Sequence, residues 1–246
     1  MISVCIPTYN GAKFIKEQIN SILPQISSED EIIISDNYST DNTLDVIKEI
    51  NDPRIKVFLF RPDEQTIDVS NILAKVSLNV QNALSKANGD YIFLSDQDDI
   101  WLEGRVNKAL PLLKSKEPTV VVCNCTVVDE NDKVLIKSYF SYITPSANII
   151  RTIVKSSFHG CCMAFNRSVV NKATPFPLYP IGHDLWLGMT GSYYGEVHFL
   201  NEPLVLYRRH SSTVTTTGFA SKRSLFDKIK YRFFIVASFF KCILFK

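Results

Sequence analysis

The chain has 246 residues, a formal charge of only +2, 46% hydrophobic residues and 21% charged ones. Such a composition supports a sizeable core and fits one folded α/β domain. It excludes a disordered polyelectrolyte and any partner, nucleic acid above all, that needs a strongly basic protein overall.

The first hundred residues alternate apolar runs with amphipathic stretches. Ile2–Ile6 reads as a buried strand ended by Pro7, and Thr8-Tyr9-Asn10-Gly11 as a loop. Phe14, Ile15, Ile19, Ile22 and Leu23 follow at helical spacing. A second strand, Glu31–Ser35, runs into the polar turn Asp36–Thr43, where Thr40 or Asp41 is placed to cap a helix carrying Leu44, Ile47 and Ile50. Ile55–Phe60 is a third strand. The stripe from Ile72 to Ala87 is a helix, with Gly89 as its C-terminal stop. Tyr91–Leu94 is a fourth strand, and it enters an acidic loop, Ser95-Asp96-Gln97-Asp98-Asp99. Apolar strands alternating with helices predict a mostly parallel, Rossmann-like sheet flanked by helices, with ligands outside the carboxyl ends of its strands. Three polar loops lie at such ends, after Ile6, Ser35 and Leu94.

The second half is less regular. Val106–Leu113 is helical, Thr119–Val128 is β-rich, and Val134–Ile136 returns as a hairpin after the turn Asp129–Asp132. Cys161–Phe165 and Val197–Leu200 are further strands. The six cysteines form no C-x-x-C pair and read as reduced, buried thiols of a cytoplasmic protein. No signal peptide precedes the first strand, and no apolar run reaches the length of a spanning helix. One domain is expected over 1–218, with a nucleotide-binding half (1–100) and an acceptor-binding half (101–218). Residues 219–246 change character. Lys222, Arg223, Lys228, Lys230 and Arg232 lead into Phe233–Phe240, as in a basic amphipathic helix lying on anionic lipid, with a helix docked on the core or on a partner as the alternative.

Asp96, Asp98 and Asp99 crowd three carboxylates into four residues. Their repulsion is relieved by a divalent cation, and hard oxygen ligands suit Mg²⁺ or Mn²⁺ bound with substrate phosphates. A lone acidic pair of this kind is usually a solvated turn. Here it ends a strand and opens a helix.

Four segments together resemble the inverting family 2 glycosyltransferases with the GT-A fold, of the bacterial surface-polysaccharide type. They are Val4-Cys5-Ile6-Pro7-Thr8-Tyr9-Asn10, Ile34–Thr43, Ser95–Trp101 and Gly182-His183-Asp184-Leu185-Trp186. The resemblance runs from about Ile2 to His210. It implies that Pro7, Thr8 and Tyr9 line a nucleotide pocket and that Asp36 accepts from a pyrimidine NH. It also implies that Asp96 lies near the ribose, that Asp98 holds the metal with Asp99 supporting the loop, and that Asp184 is the general base. In Tyr207-Arg208-Arg209-His210 it implies phosphate-neutralising Arg208 and Arg209 and a metal-binding His210. The expected partners are a nucleotide-sugar donor (UDP-hexose or dTDP-rhamnose), a lipid-linked (polyprenyl diphosphate) saccharide acceptor and, through the C-terminal segment, the inner face of the cell membrane.

The chain departs from the family pattern at Asn37, where a second acid is usual, and Pro62–Ser70 lacks a common glycine loop. Thr213–Gly218 reads as a polar segment able to close over donor. His183 is placed to hold Asp184 or touch acceptor, Gly160 to admit the donor sugar closely, and Trp101 and Trp186 read as core more than as sugar platforms. Two other readings compete: nucleotidyl transfer to a sugar phosphate, which the missing Gly-rich basic loop near the N-terminus disfavours, and a non-catalytic carbohydrate- or membrane-binding scaffold, which the pair Asp98 and Asp184 disfavours.

Overall fold

A computed structural model describes residues 1–62, 71–177, 181–210 and 224–244. In chain order its elements are β1 (Ile2–Thr8), α1 (Ile15–Ile22), β2 (Glu31–Asp36), α2 (Thr43–Ile50), β3 (Ile55–Leu59), α3 (Ile72–Lys86), β4 (Tyr91–Leu94), β5 (Ile100–Trp101) and α4 (Arg105–Leu113). There follow β6 (Thr119–Asp129), β7 (Val134–Ile136), α5 (Tyr139–Tyr142), α6 (Ile149–Val154), β8 (Met163–Asn166), α7 (Arg167–Ala173), α8 (His183–Tyr194), β9 (Glu196–Arg209) and α9 (Leu225–Leu244).

All of these strands join one sheet, in the order β3-β2-β1-β4-β8-β6-β9-β5, with β7 added to β6. The block β3-β2-β1-β4 is parallel, as the alternation of strand and helix predicts. Beyond β4 the strand directions vary. β8 runs antiparallel to both β4 and β6, β5 is antiparallel to β9, and β6 pairs β9 in parallel. The sheet is therefore mixed, and it runs without a break through both halves of the chain.

β1 shows how the sheet divides the core. Ile2, Val4 and Ile6 pack with α1 and α4 residues such as Ile15, Ile19 and Val106. Cys5, pointing the other way, packs with Val80, Leu84 and Leu187 of α3 and α8. Period-two alternation thus feeds two apolar layers, one on each face. Each fully buried Ile contributes about 1.5–3 kcal/mol, so burial on both faces dominates the sheet's stability.

Local chemistry sets several boundaries. Pro7 does not end β1: the strand continues to Thr8, with Pro7 opposite Ser35 and Thr8 opposite Asp36. Asn71 caps α3, its side chain accepting from the N–H of Leu73 and of Ala74. At the other end Gly89 is not a left-handed helix stop. It is needed because a Cβ there would sit 2.6 Å from the Ser3 nitrogen of β1. Neither Thr40 nor Asp41 is the N-cap of α2, which is Asn42, but Asp41 accepts from the Thr43 N–H at 3.1 Å and tightens the same turn.

α9 packs on the main core through Tyr231, Ile235, Phe239 and Cys242. Phe239 meets Trp186 edge-on at 6.3 Å and Tyr193 at 5.4 Å. Among the described residues no helix is long and apolar enough to cross a membrane. Every cysteine is a free thiol, and all but Cys242 are buried.

Candidate active site

A cavity of about 920 Å³ opens at the carboxyl ends of β1, β2 and β4, facing the start of α8. The parallel half supplies its floor, and the loops there are fastened to one another. Gln97 of the acidic loop accepts from the Tyr9 N–H at 2.9 Å and donates to the Tyr9 carbonyl at 3.0 Å. Gly11 is tight beneath it, since a Cβ there would lie 2.5 Å from Gln97 Oε1. Asn10, in the left-handed region at φ 49°, accepts from the Thr40 N–H at 2.8 Å, and its own N–H donates to Ser39 Oγ at 2.8 Å. Pro7, Thr8 and Tyr9 line the cavity, with Tyr9 about half exposed.

The structure takes Asp36 off the lining. It is fully buried, and its two carboxylate oxygens accept from the N–H and the hydroxyl of Ser39 at 2.8 and 2.6 Å. Asp36 thus builds the turn that presents Asn37 and Tyr38 to the cavity, in place of the direct contact with a pyrimidine expected of it. Tyr38 sits at φ 57°, strained for an aromatic residue, with the Arg61 guanidinium 4.4 Å above its ring.

The three carboxylates of the acidic loop part company. Asp96 and Asp98 line the cavity, whereas Asp99 is fully buried and accepts from the Arg208 N–H at 2.9 Å. Burial, then the charges of Asp98 and Asp96, push Asp99 well above the usual carboxylate range. Burial, then the charges of Asp98 and Asp184, raise Asp96 to about 7. Trp101 and Ser95 support the loop from behind, the indole Nε1 donating to Ser95 Oγ at 3.1 Å. Trp186 likewise donates to the Ala173 carbonyl at 2.8 Å, so both tryptophans are core residues.

His210, just beyond β9, places Nε2 2.8 Å from Asp98 Oδ2, its ring 5.1 Å from that of Phe14. Both side chains face the cavity. Arg208 does not. Its guanidinium is buried against Glu17 at 2.9 Å and Asp132 at 2.8 Å, donates to the Asp98 carbonyl at 3.1 Å and lies 4.7 Å over the Phe14 ring. The expectation of a phosphate-neutralising Arg208 is corrected: its charge is already matched by two carboxylates, and it holds the acidic loop against β9. Arg209 is also absent from the lining and turns toward the ring of Tyr207, which does line it.

Asp184 stands in the first turn of α8, in the cavity wall, with Oδ1 accepting from the Leu185 N–H at 2.7 Å. Around it sit residues that sequence alone left without a firm role. His159 and His183 both line the cavity, and burial lowers both imidazoles from their ordinary range, keeping them neutral. Gly160 is required at this point, because a Cβ would come 2.5 Å from His183 Nε2. The Gly182 N–H, at the mouth of α8, donates to the Tyr231 hydroxyl of α9 at 3.3 Å.

Asp96, Asp99 and Cys161 form the group of potential metal ligands found among the described residues, their ligand atoms within 4.8 Å of one another. Cys161 is a poor partner for a hard cation, since a hydrogen bond with Cys162 and burial keep its thiol protonated. The carboxylate–imidazole pair Asp98 and His210 fits Mn²⁺ or Mg²⁺ better and is the pair that faces the cavity. Thr213–Gly218, Asp63–Ser70, Lys222 and Arg223 lie outside the described residues.

A nucleotide-sized cavity at the carboxyl ends of a βαβ block, with an acidic loop and the Asp184 carboxylate of α8 in its wall, is the arrangement of a GT-A fold. The fold's solved neighbours agree. S. aureus TarS 1-349 in complex with UDP-GlcNAc superposes with a TM-score of 0.65 at 17% identity, over 94% of this chain and 65% of that one. The mannosyltransferase PcManGT from Pyrobaculum calidifontis, in complex with GDP-Man and Mn²⁺, gives 0.57 at 20% identity, over 89% and 58%. The model of glycosyl transferase family 2 matches residues 3–174, and the chain belongs to that family. A relative from Escherichia coli, the UDP-Glc:alpha-D-GlcNAc-diphosphoundecaprenol beta-1,3-glucosyltransferase WfgD, is 24% identical over 92% of this chain and 84% of its own length. The chain spans 65% of the length of another curated relative, a glycosyltransferase of Nostoc sp., at 26% identity over 86% of this chain.

Proposed function

We propose that the protein transfers a sugar, with inversion, from a nucleotide-sugar to a lipid-linked saccharide in bacterial surface-polysaccharide synthesis. The observation that carries this reading is the placement of Asp184 across one cavity from the Asp98–His210 pair, with Asp96 lining the same cavity. The nucleoside diphosphate lies on the Pro7–Tyr9 floor beside Asn37 and Tyr38, with Asp96 toward the ribose. Asp98 and His210 hold a divalent metal, which when bound supplies electrostatic stabilisation of the departing diphosphate. Asp184 accepts the proton of the acceptor hydroxyl as that oxygen bonds to the anomeric carbon. The bond from the same carbon to the phosphate oxygen breaks on the opposite face, and its electron pair leaves with the nucleoside diphosphate.

UDP-hexose or dTDP-rhamnose serves as donor and a polyprenyl diphosphate saccharide as acceptor. The activity in WfgD's name supports the UDP-glucose and lipid-linked forms of this reading. A water-insoluble acceptor calls for docking on the inner face of the cell membrane, and α9, with Lys228, Lys230, Arg232 and Lys241 beside exposed phenylalanines, is the docking segment. The test is a panel of nucleotide-sugars incubated with the protein, with and without Mn²⁺, followed for nucleoside diphosphate release and for transfer to a polyprenyl diphosphate sugar. Metal-dependent turnover that is lost in Asp98→Ala and Asp184→Ala is expected; unchanged turnover in both variants refutes the mechanism.

A further inference from the structure

α9 carries two apolar faces. Tyr231, Ile235, Phe239 and Cys242 are turned to the core. Phe226, Ile229, Phe233 and Phe240 are turned to solvent, 56–73% exposed. At about 100° per residue these four fall within roughly 60° of one another, on the side away from the buried face. A helix that only closed the core would not carry this second stripe, and a contiguous exposed apolar face marks an interaction surface.

α6 lies alongside α9. Its Ile149 and Ile153 pack inward, while Ile150 and Val154, one turn apart, are 73% and 57% exposed. The two helices are joined where Arg232 of α9 donates to the Val154 carbonyl at 3.0 Å. Cations flank the combined face: Arg151 and Lys155 at α6, and Lys230, Arg232 and Lys241 on α9. α6 has no acid, and the lone acid of α9, Asp227, accepts from the Ser224 hydroxyl at 2.6 Å in the helix-start turn. Large apolar side chains ringed by cations match the acyl boundary and the headgroups of an anionic bilayer. A soluble protein partner would require acids of its own to meet these cations, whereas an anionic lipid surface meets them all at once.

We infer that α6 and α9 together form one two-helix bilayer-contact surface, with Ile150 and Val154 entering the interface beside Ile229 and Phe233. This rests on the reading of α9 as the docking segment and extends the contact to an element some seventy residues earlier in the chain. It fixes the orientation of the enzyme on the membrane, because two non-collinear helices define a plane where one helix leaves rotation free. Since α6 packs on α8, and Phe239 of α9 meets Trp186 and Tyr193 of α8, the plane is held at a set distance from Asp184.

The test is co-sedimentation of the full chain with phosphatidylcholine vesicles made with and without phosphatidylglycerol. The parent is expected to bind only the anionic vesicles, and less at high salt. Ile229→Ser/Phe233→Ser and Ile150→Ser/Val154→Ser should each weaken binding roughly ten-fold, with an unchanged melting temperature because all four side chains are exposed. Weakening by the α9 pair alone overturns this inference and leaves the α9 reading standing. Weakening by neither pair, or a parent that ignores anionic vesicles, overturns both. Parental vesicle binding by the α6 pair together with a change in self-association assigns the face to a second copy of the chain and also overturns the inference.

Discussion

The two sides of the cavity are built differently. The nucleotide side comes from short contiguous segments at the ends of β1, β2 and β4, clamped by local bonds such as Gln97–Tyr9 and Asn10–Thr40. The opposite side is assembled from the ends of distant elements: Asp184 from α8 and His159 from the turn before β8. The first is held by hydrogen bonds between its own loops; the second depends on how helices and strands pack. Binding should therefore answer to the loops of the parallel half, and turnover to the packing of the mixed half.

The largest expected effect is on the chemistry side. Asp184→Asn keeps the shape and the helix-start bond but cannot take a proton. The kcat should fall about 10³-fold, with nucleoside diphosphate affinity, measured by calorimetry, unchanged. A matching loss of affinity would break the division of labour. The reciprocal experiment is Gln97→Ala, which removes both bonds to Tyr9 and the atom against Gly11. Two hydrogen bonds at about 0.5–1.5 kcal/mol each correspond to a roughly ten-fold weaker nucleotide, seen as a raised donor KM with kcat nearly retained.

The same contrast explains what could be read from the sequence. Strands β1, β2 and β4 and their loops were legible because each is an apolar run followed by its own polar turn. The antiparallel insertion of β8 was not, since a run as short as Met163–Phe165 carries no sign of strand direction. Arg208 looked like a phosphate ligand because its partners, Glu17 and Asp132, are 191 and 76 residues away. Asp36 was closer to legible: a serine three residues on is a frequent partner of an aspartate in a turn, and Ser39 takes both of its oxygens. The two-faced character of α9 was half legible, as cations and phenylalanines without the knowledge that Ile235 and Phe239 are buried.

A smaller effect probes charge within the acidic loop. Asp96 is raised to about 7, so the folded state holds its proton more tightly than the unfolded chain does. The sign follows from linkage: the folded protein gains stability as pH falls through 7, and the penalty of the charged form is fully present at higher pH. Asp96→Asn should therefore melt higher than the parent at pH 8, by about 3 °C, the equivalent of about 1 kcal/mol. The difference should shrink toward pH 5.5. An Asp96→Asn variant less stable at pH 8 would mean that the carboxylate is stabilised there by groups other than a bound metal.

The smallest effect tests the contact that ties α9 to the chemistry. The Tyr231 hydroxyl receives the Gly182 N–H two residues before Asp184, at a helix start that has no side-chain cap of its own. Tyr231→Phe removes this one acceptor and keeps the ring that packs on the core. If the bond serves only stability, the melting temperature falls slightly and kcat per folded molecule is unchanged. If it positions the base, kcat falls about three- to five-fold, the scale of one net hydrogen bond, while donor KM and nucleotide affinity stay at parental values. The second outcome is expected, because the first turn of α8 is anchored on one side by Ser77, which receives the His183 N–H at 3.2 Å, and on the other by Tyr231. Loss of one anchor lets Asp184 turn with the helix end and leaves the loops of β1, β2 and β4 untouched.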